Sequence, residues 1–136
     1  MPPEPVARSV VARAIRAPSP QNRQPWRVEF RSDDAFALEL DPSRVAPATD
    51  PFARQAHLAL GGFLVSAAIA ATGLGRSADI ELFPDEHGPA DDADAAPVAT
   101  VALDPSAEEA DPLLDELDRR HTNRRRSYDG PPPTTA

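Results

Sequence analysis

At 136 residues the chain has room for one domain with a modest core. It has no cysteine, which excludes disulfides, thiolate catalysis and cysteine metal sites, and its 14 basic residues are all arginine, which excludes a Schiff-base or P-loop lysine. Against 22 acidic residues the net charge is −8, a balance that argues against general nucleic-acid binding.

Residues 4–16 are expected to form a helix. Val6, Val10, Val11, Ala14 and Ile15 fall on one broad face, with Arg8, Ser9, Arg13 and Arg16 opposite. The arginines read as a solvated face or as phosphate contacts. Pro18 limits the helix from beyond.

In the next stretch Pro18, Pro20 and Pro25 each fix φ and remove a backbone donor, so it is neither helix nor central strand. Ser19, Gln21, Asn22, Arg23 and Gln24 crowd hydrogen-bonding groups onto this stiff loop. It reads as a ligand wall anchored by Trp26, or as a proline-rich connector whose Trp simply packs.

Residues 26–31 and 35–40 alternate apolar and polar positions, as a hairpin around Asp33-Asp34. Trp26, Val28 and Phe30 share one face, Phe36, Leu38 and Leu40 another, and all six are expected in the core. Asp50 and Pro51 suit the N-cap and first position of a helix. From 58 to 75 no residue is charged. That length touches the lower limit of a membrane span. Its Ala, Gly, Ser66 and Thr72 content and the lack of a basic flank favour a buried core or interface helix. Gly61-Gly62 costs helix stability, which close packing against another backbone would explain. His57, alone, reads as structural. Gly73-Leu74-Gly75 ends this helix.

A strand is expected at 78–83, a mobile acidic surface loop at 84–96 and a strand at 98–103. A last helix should be capped by Ser106 with Glu109 at the capping-box position, burying Leu113, Leu114 and Leu117. Residues 119–126 then concentrate five of the fourteen arginines. A solvated basic tail, a nucleic-acid patch and a phosphate cradle compete. Little aromatic interleaving disfavours the second, and guanidinium forks with a Thr hydroxyl suit the third. His121 has no partner at metal-ligand spacing, so no metal site is expected.

The stretch Pro18-Ser19-Pro20-Gln21-Asn22-Arg23-Gln24-Pro25-Trp26 resembles the Pro-Ser-x-x-Asn-x-Gln-Pro-Trp loop of the nitroreductase-like flavoproteins. The resemblance implies that Pro18, Ser19, Pro20 and Asn22 contact FMN from across a dimer interface. Pro20 stands where Ser is frequent, so only a backbone carbonyl contact is implied there. Gln24 and Trp26 would be structural. Arg120-His121-Thr122-Asn123-Arg124 is similar to the family's Arg-x-Ser-x-Arg phosphate motif, with Thr for Ser. By that likeness Arg120, Thr122 and Arg124 hold the FMN phosphate. The motif follows the loop instead of preceding it, an order that resembles the internally duplicated branch of the family. Residues 1–118 would then be a first repeat and 119–136 the start of a truncated second.

The expected fold is α+β: a small antiparallel sheet, a long buried central helix and flanking helices. The resemblance implies an FMN-dependent oxidoreductase that takes electrons from NAD(P)H and passes them to a nitroaromatic or quinone. No catalytic side chain is implied. A protein that sequesters FMN without turnover is the alternative. The expected associations are a homodimer or the missing second repeat, with neither nucleic acid nor membrane. With no basic-then-apolar leader after Met1, the expected location is cytoplasmic.

Overall fold

Alternating apolar positions give the chain its sheet. β1 (Trp26–Ser32) and β2 (Ala35–Leu40) pair antiparallel with Trp26 opposite Leu40 and Phe30 opposite Phe36. The computed structural model describes residues 4–84 and 96–124. β3 (Arg76–Leu82) and β4 (Ala99–Pro105) complete an antiparallel sheet of order β1-β2-β4-β3. β4 therefore lies between β2 and β3, with Val101 opposite Phe36 on one side and Ile80 on the other. The Asp33-Asp34 turn is held from both sides: Ala7 N–H donates to Asp33 O and Leu103 N–H to Asp34 O, each at 2.8 Å.

α1 (Val6–Ala14) and α2 (Arg54–Thr72) cover one face of the sheet. Period-3.6 spacing buries Ala7, Val10, Val11 and Ala14 of α1. Ala7 takes the place expected for Ile15, which is exposed. Phe63 of α2 sits at the centre of the core. Its ring centroid lies 5.3 Å from that of Trp26 and 6.3 Å, edge-on, from that of Phe36. Burying Trp26 and Phe36 against Phe63 removes large apolar surface from water. Phe30 departs from its expected core position. β1 is an edge strand, and Arg8 of α1 covers the Phe30 ring with its guanidinium 4.6 Å from the centroid.

α2 starts three residues later than Asp50-Pro51 suggested, at Arg54. Asp50 still caps it, from outside: its carboxylate accepts from Gln55 N–H at 3.2 Å and Ala56 N–H at 3.0 Å. Ala53, in the left-handed region at φ 53°, makes the bend between them. By length and composition α2 could cross a membrane; 50% of that span is buried within the fold. Leu58, Gly61 and Val65 form an exposed stripe along its outer side. Among the described residues no other backbone packs on the glycine pair. Nothing approaches the Cβ position of Gly61, and that of Gly62 faces only the Pro18 ring, at 3.7 Å from Cδ.

The last helix also begins late. α3 is Leu114–Arg119, and Ser106 Oγ instead accepts from Glu108 N–H in a turn. The approach to α3 is fixed by Asp111 N–H, which donates to Thr72 Oγ1 at 2.9 Å. Leu117 is buried and Leu114 partly so, but Leu113 is exposed. The expected boundary after residue 118 falls inside α3. Most of the expected acidic loop, together with Arg125, Arg126, Tyr128 and the proline tail, lies outside the described residues.

Candidate functional site

The proline-rich loop leaves α1 at Ala17 and lies along α2, with Pro18 against Gly62. Ser19 closes the loop on itself. Its Oγ accepts from Gln24 N–H at 3.0 Å, and its carbonyl accepts from Asn22 N–H at 3.0 Å. Between these bonds Gln21, Asn22 and Gln24 stand at φ of 52°, 56° and 50°. Asn tolerates that region, whereas each Gln there costs roughly 1–2 kcal/mol. Such strain persists only where neighbours over-determine the conformation.

The neighbour is Asp41. Its N–H donates to Pro25 O at 3.0 Å, and its Oδ1 accepts from Ser43 N–H at 3.0 Å and Ser43 Oγ–H at 2.6 Å. Arg44 pairs with the same carboxylate at 3.4 Å and donates to Gln24 O at 3.3 Å, and Arg27 adds a pair at 3.6 Å. The Ser43 hydroxyl bond is the main reason that the Asp41 carboxyl titrates below its ordinary range; burial opposes this, and the Ser43 N–H, Arg27 and Arg44 reinforce it. Asp41 and Arg44 were not singled out in the sequence, although Asp41-Pro42-Ser43 is an Asx-turn signature that could have revealed them.

The arginine motif meets the loop at the end of α1. Arg120 Nε donates to Arg16 O at 2.7 Å, two residues before Pro18, and its Nη1 donates to Thr122 Oγ1 at 3.4 Å. Arg16 returns a bond to Asp118 O at 2.7 Å, and Arg13 pairs with the Asp118 carboxylate at 3.2 Å. Asp118, also unnoticed in the sequence, thus ties α3 to α1. The structure brings Arg120 and the loop to one end of the fold. Pro18, Asn22, Arg120, Thr122 and Arg124 are exposed, and Ser19 and Pro20 are half-buried. The Ser19 hydroxyl accepts within the loop and keeps its own hydrogen to donate. His57 is a local helix contact, Nδ1 lying 2.7 Å from Ala53 O. Among the described residues no buried side-chain nitrogen or oxygen lacks a hydrogen-bond partner.

Two solved structures share this architecture. A nitroreductase-like protein from Streptococcus mutans superposes with a TM-score of 0.55 over 81% of this chain and 82% of its own, at 14% identity. A nitroreductase with bound FMN from Desulfitobacterium hafniense DCB-2 gives 0.51 over 91% of this chain and 89% of its own, at 17% identity. The fold is nitroreductase-like. Among curated proteins, the Putative NAD(P)H nitroreductase acg of Mycobacterium tuberculosis is 42% identical over 84 residues, 62% of this chain and 25% of that protein. The Putative NAD(P)H nitroreductase Rv3131 of the same organism is 33% identical over 120 residues, 87% of this chain and 33% of that protein. The matched part of this chain spans a quarter to a third of the length of these relatives. No protein-family model matches it.

Proposed function

We propose that the chain is a nitroreductase-family protein that contributes part of an FMN site. The observation that carries this reading is the Arg120–Arg16 bond, which sets the arginine motif beside the Pro18–Asn22 loop. The residues present suit the cofactor. Arg120 and Arg124 supply exposed cations for a dianionic phosphate in a protein otherwise strongly acidic, and Thr122 adds a hydroxyl. Asn22 and Ser19 offer the neutral donors and acceptors that the polar edge of a flavin ring requires.

In this reading Arg120, Thr122 and Arg124 bind the phosphate. Pro18, Ser19, Pro20 and Asn22 face the ring, Pro20 through its carbonyl. The strained backbone of Gln21 and Gln24, held by Ser19 and Asp41, keeps the loop from relaxing when the ligand leaves. When bound, FMN supplies the hydride chemistry, with NAD(P)H as donor and a nitroaromatic or quinone as acceptor. The adjoining Leu58–Gly61–Val65 stripe is the surface that a second copy or a second repeat covers, excluding water from the flavin. The matched stretch is a quarter to a third of each curated relative, which leaves length in those proteins for a second repeat. The reading carries with it a cytoplasmic location.

FMN titration followed by desalting tests the assignment. Wild-type protein should retain flavin, and the Arg120→Ala, Arg124→Ala double variant should lose it. Each charge-assisted bond contributes roughly 1.5–3 kcal/mol. No flavin retained by wild type, or equal retention by both, overturns the reading. NADPH oxidation with a quinone acceptor then separates an oxidoreductase from a protein that only stores FMN.

A further inference from the structure

A cleft of about 160 Å³ opens between the proline-rich loop and the segment leading into α2. Its apolar lining includes Pro25 and Ala56, both buried. Its polar lining includes Arg23, Arg44, Thr49 and Gln55, all exposed. Arg44 is held in place by Asp41 at 3.4 Å and by Gln24 O at 3.3 Å. Arg23 donates from Nε to the neutral Gln21 Oε1 at 3.4 Å and pairs with no carboxylate among the described residues. One carboxylate also lines the cleft. Asp50 is recessed, with 8% of its surface exposed, and its two oxygens accept from the Gln55 and Ala56 amides at 3.2 and 3.0 Å. The lining thus carries two exposed guanidinium groups against one recessed carboxylate.

We propose that this cleft binds a small organic carboxylate through Arg23 and Arg44, with its apolar body against Pro25 and Ala56. A guanidinium fork matches a carboxylate in plane and charge. The volume fits a ligand of one ring, since a cavity of about 150 Å³ accommodates benzene. Pro20, assigned above to the flavin ring, also lines the cleft, but none of the residues assigned to the FMN phosphate does, and the proposed contacts Arg23, Arg44, Pro25 and Ala56 are separate from those assigned to FMN.

Benzoate is the probe, titrated into the full chain and followed by calorimetry and by side-chain amide NMR of Gln55. Saturable binding is expected, with a shift at Gln55. Benzamide, the neutral isostere, should bind at least about tenfold more weakly, the factor expected on losing one charge-assisted bond. Arg23→Gln should weaken benzoate by a similar factor without changing the melting temperature of the unliganded chain, because Arg23 is exposed. Arg120→Ala should leave benzoate binding unchanged. No saturation by about 20 mM, equal affinity for benzamide, or wild-type affinity in Arg23→Gln overturns the proposal. Inorganic phosphate binding as tightly as benzoate overturns the carboxylate class. Displacement of benzoate by FMN overturns the separateness of the two sites.

Discussion

Arg120 and Arg16 are joined by a bond of 2.7 Å from a guanidinium to a backbone carbonyl, across the ends of two helices far apart in sequence. Arg16 reciprocates by donating to Asp118 O at 2.7 Å. The two bonds dock the end of α3 on the end of α1. Arg16→Ala removes the second bond while keeping the carbonyl that Arg120 uses. All groups involved are exposed, so global stability should change by less than about 1 kcal/mol. Amide exchange at residues 118–120 should accelerate relative to the α2 core. Unchanged exchange there would show that α3 is docked by Leu114 and Leu117 alone.

Asp41 gives the fold an acid limit. Its folded pKa is lowered, first by the Ser43 hydroxyl. The stability it contributes is therefore fully present above the unfolded value, about 3.9, and is lost as pH falls through the lower folded value. Asp41→Asn should be less stable than wild type at pH 6, and the difference should shrink as pH drops below about 4. Urea midpoints measured from pH 2 to pH 6 check this; a constant difference contradicts it.

Phe63 bridges Trp26 and Phe36. Phe63→Ala should cost roughly 3–5 kcal/mol. Trp26 is the only tryptophan, so its emission reports the site directly. A red shift at low denaturant, before global unfolding, is expected as water reaches the ring beside the loop. Emission identical to wild type would mean that Trp26 is held by other neighbours.

The stripe on α2 leads to a prediction about association. Leu58 and Val65 are 76% and 61% exposed on the outer side of α2. Wild-type chain at micromolar concentration should sediment as a dimer or larger species. Leu58→Asp with Val65→Asp should yield a folded monomer, since neither side chain supports the core. Gly61→Leu should also weaken association, by overpacking of about 1–3 kcal/mol. A wild-type monomer removes the interface from the functional reading.

Much of the fold was legible because burial writes itself as periodicity. The alternation in β1 and β2 marked Trp26, Phe36 and Leu38, all buried. Helix starts were less legible. Asp50 and Ser106 both carry N-cap chemistry, but Asp50 caps α2 from a distance, through amides five and six residues ahead, and Ser106 spends its oxygen on a turn. Capping residues name a nearby bend, not the residue at which helical φ and ψ begin. Phe30 misled because an edge strand offers its ring to Arg8 as readily as to the core. At the candidate site the loop and the arginine motif were visible as strings of residues. Their meeting was not, since it depends on Arg16 and Asp118, separated by most of the chain.

The position of β4 between β2 and β3 has a consequence in time. Until residues 99–105 arrive, β2 has a free edge and β3 has no neighbour at all. Once α2 has emerged from the ribosome, the hairpin and the most apolar helix are therefore exposed before the strand that closes the sheet. Pairing over such sequence distance is slow compared with hairpin or helix formation. During that interval the Phe36 edge is open to any other strand. Nascent chains of this protein should depend on chaperones, and the dependence should end once β4 clears the exit tunnel.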